Sequence, residues 1–207
     1  MKRIYFIRHA PTIVNQTGEM VKDYKHVNIQ PLTDDEINIW NNRVGKYIKS
    51  FDHVYISDTT RTHETSQLLL KPTETIINED LNEINCLSLG DEKFWEISED
   101  RFNELVHVDL EEFDAKVKAL INKLLNVDAS HNIVCVTHGL YIRHLYHLLT
   151  SNKADTLYKQ INSVDFKFNP LDMLEVDYVC KYKTMDKYNM EYEFNEYSNI
   201  QVYRYKN

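Results

Sequence analysis

Arg8 and His9 stand directly after an apolar run at the start of the chain, in the stretch MKRIYFIRHAPTIVN. The run at residues 4–7 is followed by a turn signal at Pro11, and this pattern predicts a short buried strand rather than a helix. A guanidinium group and an imidazole are therefore expected at the carboxyl end of that strand.

Three further segments place ionisable side chains after predicted strands. HVYIS predicts a second strand, and Arg61 follows it in the first turn of a predicted helix. ETII predicts a third strand, which leads to Glu83. NIVCVT predicts a fourth strand, and His138 stands between it and the helical pattern HGLYIRHLYHLL. Because ligands of parallel sheets bind at the carboxyl ends of the strands, these side chains are expected to converge.

Two arginines, two histidines and a glutamate suit phosphoryl transfer. A guanidinium group binds phosphate through a planar fork of donors, and the first turn of a helix adds backbone N–H groups. A neutral imidazole can act as the nucleophile, and a carboxylic acid can protonate the departing alkoxide and later activate water. A cation in the first turn of a helix, as at Arg61, opposes the helix dipole unless an anion binds beside it.

Helices are predicted between these strands. Thr33 and Glu36 form a capping box at the start of LTDDEINIWNNRVGKYIKSF. Five apolar residues then share one helical face: Ile37, Trp40, Val44, Ile48 and Phe51. Ser57 or Asp58 is expected to cap the next helix, over about residues 59–70.

Strands that alternate with helices predict an α/β fold, a doubly wound and mostly parallel sheet with helices on both faces. A further amphipathic helix is predicted over residues 110–127. We expect a single domain over residues 1–207, with an irregular or partly helical insertion at about 86–109 and a C-terminal extension from about residue 181.

The C-terminal part has a different pattern. VDFKFN and DMLEVDYV, joined at Asn169 and Pro170, predict a hairpin or edge strands, and NIQVYRY predicts a last strand. These late strands offer an edge for pairing, which leaves a homodimer open.

The segments RHAPTIVN, YISDTTRTHETSQLL, LNEI and VCVTHGLYIRHL together resemble the histidine phosphatase superfamily, also called phosphoglycerate mutase-like, from about Arg3 to Leu149. The resemblance implies a metal-independent phosphomonoester hydrolase that needs no cofactor and acts on a small phosphorylated substrate through a phospho-histidine. It implies these roles: His9 as the phosphorylated nucleophile, Glu83 as the proton donor, Arg8, Arg61 and the catalytic His138 as ligands of the phosphoryl group, and Asn15 and Gly139 as further substrate-binding positions.

The chain departs from the pattern of this superfamily at three positions. Ala10 stands where a glycine is usual, Pro11 stands where a carboxylate is usual, and Leu140 replaces a second glycine after His138. None of these changes removes a catalytic group. His144 and His147 have a spacing that metal ligands can use, but we expect packing or surface histidines there and predict no metal site.

The overall charge excludes some classes of partner. Lys and Arg number 24 against 32 Asp and Glu, a net charge of −8, which argues against a general binder of nucleic acid or of anionic membranes. No apolar stretch approaches the roughly 20 residues that span a bilayer. Three widely spaced cysteines, Cys86, Cys135 and Cys180, suggest reduced thiols, so we expect a cytoplasmic protein.

Two other functions remain open at this stage. A phosphoglycerate mutase uses the same residues but protects the phosphoenzyme from water; the compact chain and the lack of a readily matched lid favour hydrolysis. The second alternative is a catalytically silent module that binds phosphate or a partner, with the Tyr-rich carboxyl segment as its partner surface.

Overall fold

A computed structural model of the chain describes residues 2–17, 24–84, 96–127, 132–150, 156–162, 167–186 and 189–206. Its strands are β1 (Lys2–Arg8), β2 (His53–Ile56), β3 (Glu74–Ile77), β4 (Asn132–Thr137), β5 (Met173–Asp186) and β6 (Asn189–Tyr203). Its α-helices are α1 (Ile13–Thr17), α2 (Asp34–Arg43), α3 (Thr60–Leu69), α4 (Glu99–Leu105), α5 (Leu110–Val127), α6 (Gly139–Thr150) and α7 (Leu157–Asn162). Short 3₁₀ turns lie at Gly45–Tyr47 and Glu79–Leu81.

The six strands form one sheet in the order β3-β2-β4-β1-β5-β6. The first four strands of that order run parallel to one another. β5 pairs antiparallel with β1, and β6 pairs antiparallel with β5 at the edge. The predicted fold class, with a mostly parallel sheet and late edge strands, is therefore confirmed.

Successive residues of β1 point to opposite faces of this sheet, as strand geometry requires. Ile4 and Phe6 pack in the same cluster as residues of α5 and α6. Tyr5 and Ile7 pack on the other face, where Trp40 of α2 is also buried. All four β1 side chains are fully buried. Helices thus cover both faces, and the continuous apolar run that predicted β1 follows from this double burial.

The register of the parallel strands brings their carboxyl ends to one level. Val136 of β4 lies opposite Ile7 of β1 and opposite Ile56 of β2. The segments that follow the ends of these three strands therefore leave the sheet side by side.

The capping box of α2 is confirmed, but the length predicted for that helix is wrong. The Thr33 hydroxyl accepts from the Glu36 N–H at 3.2 Å, and the Glu36 carboxylate accepts from the Thr33 N–H at 2.9 Å. The α-helix ends at Arg43 instead of reaching Phe51. A Cβ at Gly45 would lie 2.8 Å from Trp40 Cζ3, so the chain turns tightly against that ring in 3₁₀ form.

The cap predicted for α3 is also wrong. The N-cap is Thr59, whose side chain makes no capping hydrogen bond. The two candidates are engaged elsewhere, because the Ser57 hydroxyl bonds to His138 and the Asp58 carboxylate pairs with Lys25.

Two of the three segments predicted as late strands are confirmed, since most of DMLEVDYV lies in β5 and most of NIQVYRY lies in β6. The pairing of VDFKFN with DMLEVDYV as a hairpin is wrong. Of VDFKFN, residues 164–166 lie outside the described residues, and residues 167–169 are not in a strand. The next residues form a turn in which the Asp172 N–H donates to the Asn169 carbonyl at 3.0 Å, and Pro170 within it has no N–H to offer a strand partner. The hairpin consists of β5 and β6, so residues from about 181 onward belong to its strands.

The region at 86–109 is helical in part, as expected. Residues 86–95 lie outside the described residues, and α4 occupies the middle of the remainder. The amphipathic α5 follows with the bounds that the sequence predicts. Among the described residues, no helix is both long enough and apolar enough to cross a membrane.

Candidate active site

Five of the predicted site residues come together at the carboxyl edge of the parallel strands. Arg8 ends β1 and His9 follows it, while His138 lies between β4 and α6. Arg61 is the second residue of α3, and Glu83 follows the 3₁₀ turn after β3. The imidazole rings of the two histidines are 5.3 Å apart, edge to face.

His9 is buried, with 2% of its surface exposed. Its Nδ1 lies 2.7 Å from the Ala10 carbonyl oxygen, which can only accept, so Nδ1 carries the hydrogen. Nε2 consequently holds a lone pair, and it has no hydrogen-bond partner among the described residues. Burial first, and then the charges of Arg8 and Arg61, hold the pKa of His9 well below its ordinary value.

His138 has the opposite tautomer. Arg61 Nη2 can only donate and lies 3.1 Å from Nδ1 of His138, so Nδ1 accepts. Nε2 therefore carries the hydrogen and donates to the Ser57 hydroxyl at 2.7 Å. Burial, followed by the effects of His9 and the two arginines, places the pKa of His138 well below its ordinary value. Both imidazoles are thus neutral at neutral pH.

Two guanidinium groups provide the positive charge of the site. Arg61 Nη1 donates to the Tyr24 carbonyl at 2.6 Å, and the Tyr24 ring lies 4.0 Å from Arg61 Cζ. Arg8 Nη1 donates to the Phe168 carbonyl. Both Nε atoms are buried and without a hydrogen-bond partner. Burial lowers the pKa of both arginines. Buried N–H donors are rarely left unpaired, so these two are suited to a bound anion.

The side chain of Glu83 lies beside the N-terminus of α6. Its carboxylate accepts from the N–H groups of Tyr141 at 2.8 Å and Leu140 at 3.2 Å. Burial raises the pKa of Glu83 despite these donors, which act in the other direction. The carboxyl group therefore keeps its proton to a higher pH than an ordinary glutamate does, while the helix N–H groups fix its position.

The remaining two predicted residues differ in their placement. A Cβ at Gly139 would lie 2.9 Å from Arg8 Cζ, so any side chain there would displace that guanidinium group. Asn15 is exposed, and its side-chain oxygen Oδ1 accepts hydrogen bonds from the N–H and the hydroxyl of Thr12, both at 3.1 Å. Asn15 makes no hydrogen bond to the other predicted site residues, so its part in substrate binding stays a prediction.

Some residues that hold the site were not singled out from the sequence. Thr65 accepts from the Ala10 N–H at 2.9 Å and donates to the Arg61 carbonyl at 2.6 Å, which links β1 to α3. Thr65 lies within the segment YISDTTRTHETSQLL, and Ser57 of the same segment was expected only as a helix cap; the concentration of Ser and Thr there is the one signal that the sequence offers. Phe168 acts through its backbone carbonyl, for which a side-chain pattern carries no signal.

The histidines at metal-like spacing on α6 are buried. His144 lies between Asp114 Oδ1 at 2.6 Å and Gln160 Oε1 at 2.8 Å, and so joins α6 to α5 and α7. In the described part of the chain, no cluster of three or more histidine, cysteine or acidic side chains could hold a metal ion.

Comparison with known proteins identifies relatives of this chain. Residues 4–167 match the family described as "Histidine phosphatase superfamily (branch 1)". No curated protein matches the sequence. Among solved structures, a mutant phosphoserine phosphatase from Entamoeba histolytica in complex with phosphoserine aligns with a TM-score of 0.67 and 17% identity, covering 95% of this chain and 96% of that one.

Two other solved structures share the fold. A putative alpha-ribazole-5'-P phosphatase from Escherichia coli has a TM-score of 0.62 and 18% identity, with 84% of this chain and 89% of that chain covered. A phosphoglycerate mutase from Bacillus anthracis has a TM-score of 0.57 and 22% identity, with 84% and 87% covered. The likeness therefore includes both phosphatases and a mutase.

The lowered pKa of His9 predicts a pH-dependent stability. Below the ordinary histidine pKa of 6.5 the unfolded chain binds a proton at this position while the folded chain does not, so the contribution of His9 is lost as the pH falls. From about pH 7 to about pH 5 the free energy of unfolding should fall by at most about 2 kcal/mol through this one group. Urea unfolding at the two pH values measures this quantity, and the free energy of unfolding should fall correspondingly less in His9→Gln than in the wild type.

The exposed His107 supplies the control, because His107→Gln should leave the pH dependence of the wild-type protein unchanged. An equal dependence in His9→Gln and the wild type would contradict the neutral state of His9.

Proposed function

The chain belongs to branch 1 of the histidine phosphatase superfamily, and we propose that it hydrolyses small phosphomonoesters through a phosphohistidine formed on His9. The observation that carries this proposal is the tautomer of His9, whose Nδ1–H is bound by the Ala10 carbonyl while Nε2 keeps an unpartnered lone pair. Such an imidazole is a nucleophile without any prior loss of a proton.

In the first step, His9 Nε2 attacks the phosphorus atom and the bond from phosphorus to the ester oxygen breaks. Arg8 and Arg61 face the negative charge of the equatorial oxygens with the two Nε–H groups that lack partners. The departing alkoxide takes the proton of Glu83, whose raised pKa keeps that proton available.

In the second step, water attacks the phosphorus atom of the phosphohistidine. Glu83, now a carboxylate held by the N–H groups of Leu140 and Tyr141, accepts a proton from that water. The phosphorus–nitrogen bond breaks, its electron pair returns to His9 Nε2, and inorganic phosphate leaves. The cycle consumes one water and restores both residues, so the steps themselves require no cofactor.

The proposal is tested by a panel of phosphomonoesters that includes phosphoserine, a sugar phosphate, p-nitrophenyl phosphate and 3-phosphoglycerate. We expect release of inorganic phosphate from at least one member, and a fall of at least about 10³-fold in kcat for His9→Gln because the nucleophile is lost. Undiminished turnover by His9→Gln would overturn the phosphohistidine route. Isomerisation of 3-phosphoglycerate that depends on bisphosphoglycerate, without net phosphate release, would establish a mutase instead.

The role of Glu83 predicts a dependence on the leaving group. Glu83→Gln cannot protonate an alkoxide, so kcat/KM for an alkyl phosphate should fall by about 10²–10⁴-fold. A p-nitrophenolate ion leaves without a proton, so kcat/KM for p-nitrophenyl phosphate should fall much less. Steady-state kinetics with both substrates measures the difference.

Glu79 is an exposed acid in the 3₁₀ turn before Glu83, and Glu79→Gln should leave both values within about twofold of the wild type. Equal losses for the two substrates in Glu83→Gln would show that Glu83 does not act as the general acid.

A further inference from the structure

The peptide group between Phe168 and Asn169 lies between Arg8 and a buried carboxylate. Its carbonyl accepts from Arg8 Nη1, and its N–H donates to Asp172 Oδ2 at 2.8 Å. No cis peptide bond occurs among the described residues, and in a trans peptide the C=O and N–H point in opposite directions. A single rigid peptide plane therefore connects the guanidinium group of Arg8 to the carboxylate of Asp172.

Asp172 is fixed from several sides. Its side chain is fully buried, and both of its oxygens accept hydrogen bonds. Oδ1 accepts from the Tyr205 N–H at 2.8 Å, and Oδ2 also accepts from Arg204 Nη1 at 2.8 Å. These two donors come from the C-terminal end of the chain, directly after β6. A buried carboxylate with this many donors is held in one position.

The Arg8 side chain depends on that peptide for its orientation. The Phe168 carbonyl is its one hydrogen-bond acceptor among the described residues, while its Nε has none. Gly139 has no side chain to hold the guanidinium group from the other side, since a Cβ there would lie 2.9 Å from Arg8 Cζ. Rotation of the 168–169 peptide would thus remove the one polar contact that sets the direction of the guanidinium group.

We propose that Asp172 is a positioning residue for Arg8, which acts by fixing and polarising the Phe168–Asn169 peptide so that the free N–H groups of Arg8 face the phosphoryl group. This inference rests on the proposed function, since it takes Arg8 to be a ligand of that group. Asp172, Arg204 and the 168–169 peptide all lie beyond residue 167, where the match to the superfamily ends. The C-terminal segment therefore takes part in anion binding without contacting the anion.

The sign of the effect separates this role from a simple charge effect. Asp172→Asn removes a negative charge near the site, so electrostatics alone would make an anion bind more tightly. Loss of the fixed peptide predicts the opposite, because an Asn side chain keeps only one acceptor oxygen. In either orientation its amide nitrogen would face donors, which are the Asn169 N–H and Arg204 or else the Tyr205 N–H. We expect the Kd for inorganic phosphate, measured by calorimetry, to rise at least about tenfold in Asp172→Asn.

A double-mutant cycle with Arg8→Met tests whether Asp172 acts through Arg8. In the Arg8→Met background, Asp172→Asn should change the Kd for phosphate by less than about twofold. A loss of similar size in both backgrounds would overturn the proposal and assign Asp172 a merely structural role. Unchanged or tighter binding in Asp172→Asn alone would overturn it as well.

Asp177→Asn is the matched control. Asp177 is a second buried carboxylate of the same chain segment, but it pairs with Arg3 at the amino end of β1, away from Arg8. The Kd of this variant should stay within about twofold of the wild-type value. A tenfold loss there would show that any buried charge change on β5 disturbs the site, and would contradict a specific role of Asp172.

If Asp172→Asn does not fold, Arg204→Gln provides the test instead. The Arg204 side chain is one-third exposed, so its replacement disturbs the core less. This substitution removes one donor to Asp172, and its effect on phosphate binding should again disappear in the Arg8→Met background; persistence there would overturn the proposal. Binding of phosphate without turnover would refute the hydrolase while leaving this inference intact. Failure of the wild-type protein to bind phosphate would refute both.

Discussion

Two guanidinium groups lie at one edge of the sheet; Arg61 is buried, and Arg8 is half-buried with its Nε atom fully buried. Among the described residues, neither forms an ion pair with a carboxylate. Burying a cation without a counter-charge is costly, and the cost is visible in the lowered pKa of both groups. Backbone carbonyls of Tyr24 and Phe168 supply partial compensation. The positive charge that remains uncompensated favours a doubly negative ligand. A phosphoryl group has that charge, and its oxygens match the planar fork of donors of a guanidinium group.

The other properties of the site follow from these two charges. Together with burial they keep His9 and His138 neutral, so one imidazole can attack and the other can bridge Arg61 to Ser57. In the described part of the site Glu83 is the one carboxyl group, and it accepts hydrogen bonds from backbone N–H groups of α6 and none from either arginine. An acid that formed an ion pair with an arginine would lose its proton too readily to donate it.

The strands and the convergence of the charged residues could be predicted because burial on both faces leaves a strong apolar signal, as in β1 and β4. The helix end at Arg43 and the cap of α3 could not, since Gly45 packs on Trp40 and Ser57 bonds to His138 only in the folded chain. The same limit applies to the tautomers of the histidines, which depend on tertiary partners. Contacts made by backbone groups, such as the carbonyl that holds Arg8, leave no trace in the sequence.

The most direct test is to trap the enzyme during turnover and locate the phosphoryl group. Rapid acid-free quenching with a labelled phosphomonoester, followed by peptide mapping, should find the label on His9 in a linkage that is labile in acid and stable in base. A label on any other residue, or steady phosphate release with no labelled protein on the timescale of a single turnover, would contradict the mechanism.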